Sequence, residues 1–228
     1  MTFEYTHENI KKLLIEKPWT KAKQRFDAMD TYQPKVIQTI DINEKEWLQF
    51  CIDYFDLAEH NWEVSKPHYS NDSKDLTDVN ISLGRNKFNS YELNWGKLGD
   101  TNPILINMIG EKNLKILNLH PDYILVRLLI KLPGQGVPWH VDDAGSFLKL
   151  FPNLKVKNFP NTQHGRIVRY WFPVTDWDDG HMFQISKTIL WNYKKGQVFD
   201  IPIGQGHASA NAGLTPQYSV SLTGIIND

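Results

Sequence analysis

GQVFDIPIGQGHASANAG, residues 196–213, carries the strand-and-turn pattern of this chain in its plainest form. Gly196 to Ile201 reads as a turn entering an alternating strand. Pro202 and Gly204-Gln205-Gly206 turn the chain, His207 opens the next strand, and Asn211-Ala212-Gly213 closes it. The pattern extends in both directions. Upstream, DYILVRLLIKL (122–132) is a buried strand broken by Pro133-Gly134-Gln135-Gly136, and VPWHVDD, RIVRYWFPVTDW and HMFQISKTILWNY follow. Downstream, QYSVSLTGII is a closing strand. Asp179-Gly180, Lys195-Gly196 and Ala212-Gly213 are natural turn positions. Many short strands at near-regular spacing predict a β-sandwich or barrel.

Before residue 120 the chain has a different character. HENIKKLLIEK (7–17) predicts a short amphipathic helix stopped by Pro18. Asn43 with Glu46 resembles a capping box. Trp47, Phe50, Cys51, Tyr54, Phe55 and Ala58 recur at helical spacing, so a helix is expected over about 44–60. Residues 60–100 read as loops with short strands, and 103–113 as another short helix before Pro121. The organisation expected is an N-terminal helical and irregular extension (1–119) packed on a β core (120–228), as one compact unit.

A chain of 228 residues with 22% charged residues has the profile of an ordinary globular protein. A formal charge of −1 gives no electrostatic reason to expect nucleic acid or an anionic membrane as partner. There is no run of 18 apolar residues and no secretory h-region at the N-terminus, so a cytoplasmic location is expected. The single cysteine, Cys51, sits among aromatic residues and reads as a buried structural thiol. Most of the eight tryptophans read as core. Trp139 and Trp171 flank polar residues and are candidates to wall a pocket.

The chemistry concentrates in His140-Val141-Asp142 and His207. Residues i and i+2 of a strand project from one face, so His140 and Asp142 can converge on one point. An imidazole from a neighbouring strand completes a two-histidine, one-carboxylate face, which suits a non-haem Fe(II) centre with open positions opposite. Asp143 competes with Asp142, and the i+2 geometry favours Asp142. His164 and His181 read as solvated strand-edge residues, and Asn211 as a turn residue tolerating positive φ.

The order PGxxxxxHxD, RxxRYWxPV, GQxxDIPxGxxHxxxNxG and then SVSLTG resembles the Fe(II)/2-oxoglutarate dioxygenases, nearest their aspartyl/asparaginyl β-hydroxylase-like branch. The resemblance covers roughly residues 120–226. It implies a mainly β fold: a double-stranded β-helix (jelly-roll, cupin-like) core with flanking helices and an α-helical N-terminal region. It makes His140, Asp142 and His207 the Fe(II) ligands, with 2-oxoglutarate as co-substrate. The distal carboxylate of that co-substrate needs a cation deep in the barrel. Arg169 occupies the position at which the branch places a co-substrate arginine; Arg166, Arg127 and Lys131 compete. Gln217 stands where the branch tends to carry a second arginine, and Trp171 where it carries a histidine. Ser219 and Ser221 share a strand face and are candidates to hydrogen-bond a co-substrate carboxylate. The activity implied is hydroxylation of an unactivated C–H bond in a small-molecule or peptide substrate, an Asp or Asn side chain for example, with release of succinate and CO2. Two other readings stand beside it: a cupin-like metal- or sugar-binding module without oxygenase chemistry, which Gln217 favours, and a non-redox barrel enzyme such as an epimerase.

Overall fold

The computed structural model describes residues 32–57, 59–61, 90–93, 98–142 and 144–226. The helix expected at 7–17 and the competitor Asp143 lie outside them. In chain order the elements are β1 (Val36–Thr39), α1 (Glu44–Asp53), a 3₁₀ turn (Phe55–Leu57), β2 (Glu59–Asn61), β3 (Ser90–Leu93), α2 (Leu98–Ile109), α3 (Glu111–Ile116), β4 (Leu119–Lys131) and β5 (Gly136–Val141). After these come α4 (Gly145–Leu150), β6 (Val156–Asn158), β7 (Asn161–Thr162), β8 (Gly165–Pro173), β9 (His181–Ile185), β10 (Thr188–Leu190), β11 (Gln197–Asp200), β12 (Gly206–Asn211) and β13 (Gln217–Ile226).

Two antiparallel sheets form. The larger runs β1-β11-β8-β13-β4-β3-β2, with β6 and β7 attached at β8, and the smaller runs β10-β9-β12-β5. From β4 onward the chain alternates between them: β4 in the large sheet, β5 in the small, β8 large, β9 and β10 small, β11 large, β12 small, β13 large. That winding defines a double-stranded β-helix, so the fold is mainly β with flanking helices. The N-terminal part also contributes strands, because β1, β2 and β3 extend the large sheet at its two edges.

Alternation along the strands divides the apolar residues into layers. Ile124, Val126, Leu128 and Ile130 of β4, Val168, Tyr170 and Phe172 of β8, and Val220 and Leu222 of β13 face one way. They pack against Trp47, Phe50 and Cys51 of α1 and Leu105 and Ile109 of α2. The opposite face of the same strands looks into the barrel. There Trp171, Phe183, Ile185, Tyr193, Phe199 and Ile201 cluster, and Leu125, Phe147, Ile167 and Ile225 form a second cluster beside α4.

Local readings are corrected in three places. The helix expected over 44–60 ends at Asp53, because the chain must turn to lay Glu59–Asn61 along β3. Asn43 precedes that helix without capping it; its amide donates to Glu46 Oε2 at 3.1 Å, so no capping box forms. The helix expected at 103–113 is two helices, parted at Gly110, whose φ of 81° ends the first; Pro103 lies inside that first helix. Among the described residues no helix is long and apolar enough to cross a membrane.

Candidate metal centre

His140 lies near the end of β5 and Asp142 just beyond it. The pairing of β12 with β5 explains how His140 comes to face inward. His207 opposes His140, yet Ser209 opposes Val137, so β5 carries one extra residue at Pro138-Trp139. A β-bulge of this kind re-aims the side chains beyond it, and proline suits it because it has no N–H to give to the ladder. His140 thereby shares the barrel-facing side with His207, their ring centroids 4.1 Å apart. Trp139 turns the other way, onto Gly206, where a Cβ would sit 2.5 Å from its ring. Trp139 therefore does not wall the interior. Trp171 does: it is buried and stacks on Phe183 at 4.2 Å, and Phe183 in turn lies 6.0 Å from the His207 ring.

The three donor groups of His140, Asp142 and His207 lie within 4.8 Å of one another. Nε2 of His140 is 3.5 Å from Asp142 Oδ1, and Nε2 of His207 is 3.5 Å from Asp142 Oδ2. Ligand atoms about 2.1 Å from a common metal and at right angles are about 3 Å apart, so a small closure converts this triangle into a facial site. The tautomer of His207 is also set. Its Nδ1 donates to the Gln205 carbonyl at 2.9 Å, leaving the Nε2 lone pair directed at the triad. Burial, with the Arg169 charge beside it, pushes His207 down to about 4, so the ring is neutral near pH 7.

Arg169 is the residue whose position could not be read from spacing. It sits inside β8 on the barrel face and is buried. Its Nη2 lies 2.5 Å from Asp142 Oδ2 and donates to His207 Nε2 at 2.9 Å, while Nε donates to Ser221 Oγ at 3.4 Å. The guanidinium therefore rests on the same face a metal would use. Burial alone would raise the Asp142 carboxyl, but the Arg169 charge, with the His140 imidazole beside it, holds it well below the usual carboxylate range.

The other candidates separate cleanly. Arg166 is exposed at the start of β8, one step out of phase with Arg169, and cannot reach the barrel interior. Gln217 and Ser219 are buried on the inner face of β13. Gln217 Nε2 donates to Tyr193 Oη at 2.9 Å, and Gln217 lies directly opposite Lys131 in the ladder. Lys131, on the inner face of β4, is 1% exposed. Spacing alone makes Lys131 a competitor of Arg169; the signal for its inward position is the period of two along β4 combined with the register against β13. His181 is buried rather than solvated, its Nε2 2.9 Å from the Thr215 carbonyl. His164 is half-buried, 3.1 Å from Tyr123 Oη and stacked on that ring. Asn211 is not a positive-φ turn residue: it ends β12 and ties β4 to the loop before β13 through Lys131 O and Thr215 O, both at 2.8 Å.

No protein-family model matches the sequence, and no curated protein matches it. Among solved structures the chain is similar to a predicted oxalate decarboxylase from Thermotoga maritima (13% identity, 51% of this chain and 75% of that one, TM-score 0.30). It is also similar to a protein with a double-stranded β-helix domain from Klebsiella pneumoniae (18%, 47% and 71%, TM-score 0.30) and a Cupin 2 conserved barrel domain protein from Salinispora arenicola (12%, 44% and 62%, TM-score 0.28). Likeness at that level carries no argument about chemistry; the fold rests on strand order.

Proposed function

We propose that the chain is an Fe(II)- and 2-oxoglutarate-dependent dioxygenase that hydroxylates an unactivated C–H bond. The observation that carries the reading is the convergence of His140, Asp142 and His207 from β5 and β12 onto one inward face. Two nitrogens and one carboxylate on adjacent corners are a donor set suited to Fe(II). Bound there, the metal and 2-oxoglutarate would supply the O₂-activating chemistry, with succinate and CO2 released.

The barrel interior fits a co-substrate dicarboxylate. Trp171 Nε1, Ser219 Oγ and Gln217 Oε1 are buried with no hydrogen-bond partner, and such groups call for an explanation. Trp171 N–H and the Ser219 hydroxyl are donors a carboxylate would use. Lys131 brings positive charge to the same deep end. In this reading Lys131, Ser219 and Gln217 hold the distal carboxylate, while Arg169 lies at the metal end, on the triad itself.

The decisive experiment is an anaerobic titration of Fe(II)-loaded protein with 2-oxoglutarate, read by a visible charge-transfer band. A band in the parent protein that disappears in His207→Ala is the expected result. Iron binding without a band removes the oxygenase reading. One observation favours the alternative, a binding module of the same fold: the Arg169–Asp142 pair already satisfies the carboxylate without a metal.

A further inference from the structure

Two turns of the barrel are built alike. Residues 132–135 lead into β5 and residues 202–205 into β12. Each closes with a bond from its fourth N–H to its first carbonyl, Gln135 N to Leu132 O at 3.0 Å and Gln205 N to Pro202 O at 2.9 Å. Each has glycine third, with φ of 81° at Gly134 and 88° at Gly204. A positive φ at the third residue alone marks a type II turn. Both glycines are exposed, and a Cβ added at either would meet no atom within 4 Å beyond its chain neighbours.

What the two turns hold is different. Gly134 N–H donates to the Asn211 carbonyl at 2.8 Å, at the end of β12 away from the triad. Gly204 N–H donates to the Asp142 carbonyl at 3.1 Å. The next residue, Gln205, accepts the His207 Nδ1–H at 2.9 Å through its own carbonyl. Asp142 lies past the last ladder pair of β5 and β12, Val141 with Gly206, so the strands themselves do not reach it. The bond from Gly204 carries the constraint one residue further. Two adjacent residues of one turn thereby hold two of the three candidate ligands, Asp142 by its main chain and His207 by its ring. His140 is aimed separately, by the bulge at Pro138-Trp139.

We propose that the turn at 202–205 is the positioning element of the metal centre: it fixes Asp142 and His207 relative to each other, with Gly204 and Gln205 as positioning residues. The inference rests on the metal centre of the proposed function and not on 2-oxoglutarate. Disturbing the groups that orient metal ligands costs about tenfold to a hundredfold in metal affinity. Alanine is strained at the positive φ of Gly204, and that strain falls on the peptide units that reach Asp142 and His207.

The test sets Gly204→Ala against Gly134→Ala in the full chain. The control carries the same strain in the same kind of turn, but its partner Asn211 stands about 13 Å along β12 from His207, at a strand rise of roughly 3.3 Å per residue. Both variants should lower Tm alike, by roughly 2–4 °C. In calorimetric titration with Co(II), Gly204→Ala should lose about tenfold in affinity and Gly134→Ala should stay within about twofold of the parent. Gly204→Asn should recover most of the loss, because asparagine is accepted at the third place of a type II turn. Equal Co(II) affinities in the two alanine variants overturn the proposal. A second measurement needs no variant and decides the matter should Gly204→Ala fail to fold. Loading the parent with Zn(II) should slow hydrogen exchange of the Gly204 amide about tenfold and change that of the Gly134 amide less than about twofold. Equal slowing at both glycines overturns the proposal as well. A parent that binds neither metal removes the metal centre itself, whereas a parent that binds them and two variants that match remove only the role of the turn.

Discussion

Removing the Arg169 guanidinium should tighten metal binding while weakening the metal-free protein. In the structure a metal approaching Asp142 and His207 must displace hydrogen bonds of 2.5 and 2.9 Å from Arg169 Nη2. A hydrogen bond to a charged group contributes about 1.5–3 kcal/mol. Losing the contact to Asp142 alone therefore costs a metal roughly tenfold to a hundredfold in affinity, and Arg169→Met abolishes that cost. The same change strips a partner from the carboxylate. Breaking a fully buried pair costs about 3–5 kcal/mol; the Asp142 side chain is 33% exposed, so roughly 2 kcal/mol is the better figure. For a chain of this length that lowers Tm by about 4–8 °C. The assay is calorimetric titration with Mn(II) or Co(II) on both proteins, with melting curves taken with and without metal. The variant should melt lower without metal and gain more on loading, by mass action. Metal binding about tenfold weaker in a folded Arg169→Met would make the guanidinium a support of the triad and not a competitor of the metal. Arg169→Lys, which keeps the charge but loses the fork, should fall between the two.

Three further outcomes are expected. Because His207 has its folded value lowered to about 4, the unfolded chain binds one more proton between about pH 6.5 and 4, and stability rises with pH in that window. Metal-free protein should lose about 3 kcal/mol across it by urea unfolding, and the slope should flatten in His207→Gln; Asp142, held low, adds its loss only below about pH 4. Gly206→Ala places a Cβ 2.5 Å from the Trp139 ring and should cost about 1–3 kcal/mol through overpacking. It should also weaken metal binding, because Trp139 lies in the bulge that aims His140; an unchanged Tm and metal Kd would contradict this. Cys51 is buried and its thiol is pushed up to about 12, so it should resist thiol reagents in the native protein and react fully in concentrated guanidinium chloride.

The sequence made the fold legible where periodicity and turn chemistry agreed. The segments 122–132, 196–201 and 217–226 alternate or run apolar between Gly and Pro, and each is a strand at nearly those bounds. Long-range demands were not legible. Nothing local says that the helix at Glu44 must stop at Asp53 so that Glu59–Asn61 can pair with Ser90–Leu93. Nor does the i+2 rule alone place His140 and Asp142 correctly. Asp142 lies beyond the end of β5, and His140 faces inward because of the bulge at Pro138-Trp139, which only the pairing with β12 reveals. Spacing makes Trp139 and Trp171 equivalent, but the bulge in β5 turns Trp139 out, while Trp171 faces in from β8. His181 shows the converse limit: a polar residue at a strand end reads as solvated, yet it is buried, with its Nε2 against the Thr215 carbonyl.

Register also changes what Gln217 means. Read along the chain, a glutamine where an arginine is expected removes the cation that a buried dicarboxylate requires, and that loss sustains the binding-module reading. Read across the ladder, Gln217 faces Lys131, and both project inward at 1% exposure. Directly opposed side chains in an antiparallel pair stand about 5 Å apart at Cβ, well within the reach of a four-carbon ammonium stem. A cation on β4 can thus act at nearly the same point in space as one on β13, with Gln217 supplying an amide beside it. The substitution then moves the charge by one strand rather than deleting it. The two readings part at Lys131→Met. It should weaken 2-oxoglutarate binding by about tenfold or more while leaving metal affinity intact if the barrel is an oxygenase, and it should change neither if the lysine only fills the core. Position is what favours a ligand: Lys131 and Gln217 face each other across the ladder on the inner side of the barrel, beside the unsatisfied Ser219 hydroxyl.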